Sequence, residues 1–165
     1  MKKLITMFLL AVLVFSLAPS TFADEVIPAD SAEVEAFKAA IQEKKAIVQA
    51  AADENKLIRQ ATAETRAQIK LILGEIKASG TPLDETTKEA LNVLRLQISE
   101  KVEALSATKG AIKTYMDENR ALLKSLDYTV LDTIYAEVAA IQSTRNALIT
   151  EINALVNQML TLLSI

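Results

Sequence analysis

The sequence contains no cysteine, no histidine and no tryptophan, and it has only three glycines and three prolines. Without cysteine the chain can form no disulfide and offers no thiol nucleophile. Without histidine it lacks the residue that most catalytic dyads and most metal sites in helical bundles require. No pair of its glycines has the spacing of a phosphate-binding loop. These absences predict that the protein is not an enzyme and that it holds no metal and no cofactor.

The charge of the chain also excludes classes of partner. Lysine and arginine together number 18 against 21 aspartates and glutamates, so the formal net charge is −3. A protein without a basic patch cannot replace the counterions of a nucleic-acid backbone, so we expect no nucleic-acid partner. Helices that lie on membranes favour a face rich in lysine and arginine together with tryptophan anchors. A membrane-active amphipathic protein is therefore the least favoured of the functions considered.

The first residues have the layout of a secretory signal peptide. Lys2 and Lys3 form a positive start, and an uncharged apolar run follows from Leu4 to Ala18. That run is shorter than the roughly 20 residues that a membrane-spanning helix needs. Small residues then precede a predicted cleavage between Ala23 and Asp24. The sequence predicts a signal peptide over residues 1–23 and a protein secreted to the periplasm, cell wall or extracellular space, with no transmembrane anchor after cleavage.

Helix start and stop signals divide the rest of the chain into three parts. Asp30 with Glu33 resembles a capping box, and Gly80 and Pro82 mark a turn. Asp84 or Thr81 can cap the second helix, and Asp127 can cap the third. Gly110 has no cap or turn residue beside it, which favours a tolerated glycine inside the second helix over a break of that helix into two. We expect a short extended segment over residues 24–29 and a single domain over 30–165, with helices at about 30–78, 83–125 and 128–163.

Apolar residues recur at alternating steps of three and four along all three predicted helices. A period of 3.5 residues, kept over several heptads, indicates left-handed packing of helices against each other. We refer to this row of a and d positions as the seam. Additional apolar residues beside the seam give each helix a wide apolar face. The sequence therefore predicts an all-α fold, an antiparallel three-helix bundle or coiled coil of long helices with heptad seams.

Polar residues interrupt the seam at related places. The stretch DENK at 53–56 returns as DENR at 117–120, and each copy puts an asparagine, Asn55 or Asn119, in an a position. The similarity extends over 44–60 and 108–124, with a fainter third copy at 142–152 that puts Arg145 in the same column. An internal duplication explains this pattern, and chance similarity between helices rich in alanine, leucine, glutamate and lysine is the alternative.

Antiparallel folding about the two predicted turns brings polar seam residues of different helices to the same height along the helix axes. We call residues at one such height a level. Asn55, Thr108 and Arg145 share one level, Lys44 lies level with Asn119, and Thr62 lies level with Lys101 and Asn153. A slip of one heptad would bury each polar group against leucine or isoleucine at a cost of a few kcal/mol. We predict that these residues set the register. A ligand or ion site formed by Arg145 and the asparagines is the functional alternative.

Large apolar residues outside the seam suggest a contact surface. Large exposed apolar residues would help a binding protein to hold a partner, whereas a monomeric spacer does not need them.

In size, export and helical architecture the chain is similar to small periplasmic chaperones, although it lacks their Leu-Thr-x-x-Gln motif. The similarity implies chaperone-like binding. We expect an exported binding module whose partner is another protein or a second copy, with a structural coiled-coil spacer or self-assembling protein as the alternative. The candidate contact residues are Leu71, Val93, Leu96, Leu160 and Leu163.

Overall fold

The computed structural model describes residues 32–80 and 82–164. These residues form α1 (Ala32–Ser79), α2 (Glu85–Ala107), α3 (Ala111–Asn119), a 3-10 helix (Leu122–Ser125) and α4 (Tyr128–Leu163), and they contain no strand. The prediction of an all-α protein is therefore confirmed. The predicted signal peptide, its cleavage between Ala23 and Asp24, and the extended segment at 24–29 lie outside the described residues.

Two aspartates begin α2 and α4 as the sequence indicated. The Oδ1 atom of Asp84 accepts a hydrogen bond of 2.8 Å from the backbone N–H of Thr87, and hydrogen bonds from Thr87 lower the pKa of Asp84. Asp127 accepts from the N–H groups of Thr129 and Val130 in the same way. Each carboxylate satisfies N–H groups that have no partner inside the helix, which explains why the helices start at these positions.

The second predicted helix is not continuous, so the interpretation of Gly110 as a tolerated helical residue was wrong. α2 ends at Ala107, and α3 begins after Gly110, whose φ of 79° lies in the left-handed region. Glycine adopts this conformation without the steric cost that a Cβ atom imposes. The segment predicted as one helix over 83–125 is therefore built from α2, a three-residue turn, α3 and the 3-10 helix.

The last helix, α4, is the element against which the others pack. It contacts α1, α2 and α3, whereas the backbones of α1 and α2 make few close approaches within the described parts of the chain. Because it serves neighbours on two sides, its buried face is wider than the predicted a and d seam. The additional buried column, in e positions, consists of Tyr135, Gln142, Ile149, Val156 and Leu163.

The apolar interior forms two clusters at opposite ends of the molecule. The Ile98 cluster lies towards the turn between α1 and α2, and its buried members are Ile69, Leu91, Leu94, Ile98, Ile152, Val156, Met159 and Leu163. The Phe37 cluster lies towards the start of α4, and its buried members are Phe37, Met116, Leu131, Ile134, Tyr135 and Val138. Polar side chains occupy the part of the interior between the two clusters, and they form the candidate site described below.

Alanine replacement of two glycines tests the helix break. Gly110→Ala should lower the free energy of unfolding by about 1–2 kcal/mol, because alanine is strained at a φ of 79°. Gly74→Ala should raise it by up to about 1 kcal/mol, because Gly74 lies inside α1 and an added Cβ meets no atom within 4 Å. Urea denaturation followed by circular dichroism measures both. A stabilising Gly110→Ala would show that α2 continues through this position.

The buried phenol of Tyr135 makes the free energy of unfolding depend on pH in the alkaline range. Its hydroxyl is buried without a hydrogen-bond partner, and burial raises the pKa of Tyr135 to about 12. The unfolded chain releases this proton near pH 10 and the folded chain near pH 12, so the free energy of unfolding should fall between these values. Tyr135→Phe should remove this contribution and should raise stability at neutral pH by about 1 kcal/mol. Denaturation at pH 8, 10 and 11 compares the two proteins, and equal pH profiles would contradict the assignment.

Candidate functional site

Three amide side chains meet between the two apolar clusters. Asn55 Nδ2 and Gln142 Nε2 both donate hydrogen bonds to Asn146 Oδ1, the second at 3.0 Å. Asn55 and Gln142 are buried, and their own side-chain oxygens are buried without a partner. A buried acceptor without a hydrogen bond costs about 1–3 kcal/mol. The contact thus joins α1 to α4 at a substantial cost in stability.

Arg145 joins α4 to α2 beside these amides. Its side chain is 8% exposed, and its Nη1 donates to the backbone oxygen of Thr108 at 3.0 Å and to Thr108 Oγ1 at 2.6 Å. Thr108 is the C-cap of α2, where a cation is favoured by the negative end of the helix dipole. Burial lowers the pKa of Arg145. The pKa of the nearby Arg59 is lowered by burial and then by the charge of Arg145.

The structure brings Asn55, Thr108 and Arg145 together at one height in the molecule. We call these residues, together with Gln142 and Asn146, the Asn55 level. A second level joins Thr62 to Asn153, since Thr62 Oγ1 donates to Asn153 Oδ1 at 2.9 Å. Lys101 lies beside this second level, where its Nζ forms an ion pair of 2.7 Å with Glu151 and its pKa is raised by that contact.

The third expected level, Lys44 with Asn119, does not form a direct polar contact among the described residues. Lys44 instead pairs with Asp132 at 2.9 Å, and the hydrogen bond to Asp132 raises the pKa of Lys44. Asn119 Nδ2 donates to the backbone oxygen of Tyr115 in its own helix. The reason is the break at Gly110, which makes Asn119 the last residue of α3 instead of an interior residue of a long helix.

Sequence reasoning missed the polar partners on α4. Gln142 lies in the e column, and Asn146 and Asn157 lie on the side of α4 that faces α1, where Asn157 accepts a hydrogen bond of 3.1 Å from Thr65. The available signal was the spacing of seven residues between Asn146 and Asn153. A heptad assignment that considers only a and d positions gives no role to these columns, because it assumes that each helix has a single narrow seam.

The five residues of the predicted contact surface differ in their exposure to solvent. Leu71, Leu96 and Val93 are 68%, 65% and 53% exposed. Leu163 is buried and Leu160 is half-buried, and both pack in the Ile98 cluster. Their inclusion in an exposed surface was therefore wrong. The prediction assigned the inner face of α4 to a and d positions alone. The structure also buries the e column, which contains Leu163. Leu160 shares its column with Asn146 and Asn153, which contact α1.

Two grooves on the described surface are lined in part by residues of α1. One groove, with a volume of about 540 Å³, runs along the outer side of α1 and is lined by Ala67, Lys70, Leu71, Gly74, Glu75 and Ala78. The other, of about 310 Å³, is lined by Leu73, Lys88, Leu91, Asn92, Arg95, Met159 and Leu163. Neither groove includes a residue of the Asn55 level, and neither includes Val93 or Leu96. The two grooves therefore do not join Leu71 to Val93 or Leu96 in one site.

Comparison of the chain with protein-family models, curated proteins and solved structures finds no significant match. Within residues 32–80 and 82–164, no helix combines the length and apolar character needed to cross a membrane. The same residues contain no group of three or more aspartates, glutamates, histidines or cysteines placed to hold a metal ion.

Replacement of Asn55 tests the role of its level. Asn55→Leu should keep or raise the free energy of unfolding, because it removes a buried oxygen that has no partner. It should also loosen the register, because a polar a position trades stability for specificity. Urea denaturation measures the first effect, and additional amide signals in a two-dimensional NMR spectrum report the second. Ile58→Leu, a neighbouring apolar exchange, is the control. A loss of several kcal/mol in Asn55→Leu alone would contradict the prediction.

Proposed function

We propose that the protein is an exported, non-enzymatic binding module of the cell envelope or extracellular space. Its helices form an antiparallel three-helix bundle with heptad seams. Its outer apolar side chains bind protein partners, including unfolded proteins, as a chaperone does. The support for export is the signal-like start of the sequence, and the support for a non-enzymatic role is the absence of cysteine and histidine from the whole chain.

Contacts between the helices support the bundle. Asn55, Thr62 and Thr65 of α1 bond to Asn146, Asn153 and Asn157 of α4, so residue numbers rise together along the two helices. The contacts of α2 with α4 run the opposite way, since Lys101 meets Glu151 and Thr108 meets Arg145. This is the direction that an up-down-up arrangement requires, and the polar contacts favour one register over its slipped alternatives.

The observation that carries the binding role is the exposure of Leu71 and Leu96. Both side chains are about two-thirds exposed and lie outside the two apolar clusters. Full burial of a leucine contributes roughly 1.5–3 kcal/mol, so a few such residues can anchor a partner. Their position on rigid helices means that little conformational entropy is lost when a partner covers them.

A structural spacer is the second candidate, and the length of α1 favours it. α1 has 48 residues, which corresponds to about 72 Å at 1.5 Å per residue. A helix of that length, held in register by polar contacts, suits a rod between two attachment points. A spacer would leave partner binding independent of Leu71 and Leu96.

A charged double variant separates the two candidates. Leu71→Glu with Leu96→Glu should leave the protein folded, because both side chains are exposed, and should abolish its ability to suppress the aggregation of a heat-unfolded model protein. Light scattering measures the aggregation, and circular dichroism checks the fold. Gln60→Glu with Gln97→Glu adds the same charge at exposed polar positions of the same helices and should retain the activity. If the parent protein and both variants behave alike, the spacer is the better description.

A further inference from the structure

The outer side of α1 carries a second apolar row that no other part of the described chain covers. It consists of Ala67, Leu71, Gly74 and Ala78, at steps of four, three and four residues, and these residues line the groove of about 540 Å³. All four are exposed, and Leu71 is 68% exposed. This spacing repeats the heptad rule of the inner seam on the opposite side of the same helix, which is the pattern of a helix with two partners.

Gly74 has no function in the fold of a single chain. It lies inside α1 in helical conformation, where glycine costs up to about 1 kcal/mol relative to alanine. A Cβ atom at this position would meet nothing within 4 Å. The absence of a side chain leaves room beside Leu71 for the backbone of another helix to approach.

The charges beside the row identify the occupant and its direction. If Leu71 and Ala78 take a positions and Gly74 a d position, Lys70 falls in a g position and Glu75 in the following e position. In a parallel pair of identical helices, a g residue faces the e residue five positions later in the partner. Lys70 of each copy then faces Glu75 of the other. An antiparallel pair would instead bring together g positions, and Lys70 and Lys77 both occupy g positions.

We propose that this row is the contact between two copies of the chain, which pair through α1 in parallel about a two-fold axis with two Lys70–Glu75 ion pairs. Neither residue takes part in the ion pairs formed within the described chain. The next a position towards the N-terminus is Glu64, which would face its own copy, so the contact is confined to residues 67–78. Such a short contact gives a weak dimer whose population rises with concentration. The inference rests on the proposed binding role and names a second copy as the partner of this face.

Exchange of the two charges tests the pairing. Lys70→Glu and Glu75→Lys, made separately, each replace two attractive contacts with two repulsive ones and should weaken dimerisation roughly tenfold or more. The double variant Lys70→Glu with Glu75→Lys restores opposite charges and should dimerise like the parent. Lys113→Glu, an exposed change of the same charge on α3, is the control and should leave the dimer unchanged. Sedimentation velocity of the purified protein, expressed from the full sequence, measures the dissociation constant over a concentration series.

Three results would overturn the inference. The parent could remain monomeric at every concentration, Lys70→Glu alone could strengthen the dimer, as an antiparallel pair with Lys70 facing Lys77 requires, or Lys113→Glu could weaken it as much as the single exchanges do. The readout is separate from that of the proposed function, because sedimentation of the pure protein involves no client. A dimer that behaves as described but suppresses no aggregation would refute the chaperone-like role and leave the pairing intact.

Discussion

The hydrogen bonds from Arg145 to Thr108 are the interaction on which the middle of the structure depends. One guanidinium group binds both the hydroxyl and the backbone oxygen of the residue that ends α2. The backbone oxygen also accepts a hydrogen bond of 3.2 Å from the N–H of Ala111, so Arg145 adds a charged donor at the turn that follows α2. These bonds hold α4 at a fixed height relative to that end. Asn146, the next residue of α4, bonds to Asn55 of α1. Two adjacent residues of α4 thus connect to both neighbouring helices.

This arrangement explains why a predominantly apolar interior contains a polar middle. The Ile98 cluster and the Phe37 cluster hold the two ends together through apolar contacts, which are not directional and tolerate displacement along a repetitive seam. The polar contacts between them are directional, and a displaced helix would lose them. The buried oxygens of Asn55 and Gln142 have no hydrogen-bond partner, which is expected to reduce stability.

Short-range signals in the sequence predicted where α2 and α4 begin. The break between α2 and α3 was not predicted, because it lies where residues far apart in the sequence come into contact. Asp84 and Asp127 cap helices through bonds to residues two or three positions away, so their effect is visible in the sequence itself. The break at Gly110 lies where Arg145, 35 positions later, binds Thr108 at the end of α2. The two copies of the DEN motif show the same limit, since Asn55 lies inside a continuous helix and Asn119 ends a short one.

The exposure of the candidate contact residues was predicted correctly where it depends on one helix and incorrectly where it depends on the packing of several. The outward positions of Leu71 and Leu96 follow from the period of α1 and α2, and both are exposed. The position of Leu163 depends on how wide a face α4 presents to two neighbours, and that width is a property of the assembled helices. Exposed positions on a single helix are therefore easier to predict from sequence than positions whose burial depends on several helices.

Disulfide crosslinking tests the register of α1 and α4 most directly, because the chain has no cysteine of its own. Thr65 contacts Asn157, whereas Thr150 lies seven residues earlier on the same column of α4, about 10.5 Å away along the helix. Thr65→Cys with Asn157→Cys should form a disulfide rapidly under mild oxidation, and Thr65→Cys with Thr150→Cys should not. Preferential crosslinking of the second pair would contradict this register, because α1 would then be displaced by one heptad and the polar contacts between α1 and α4 would not set the register.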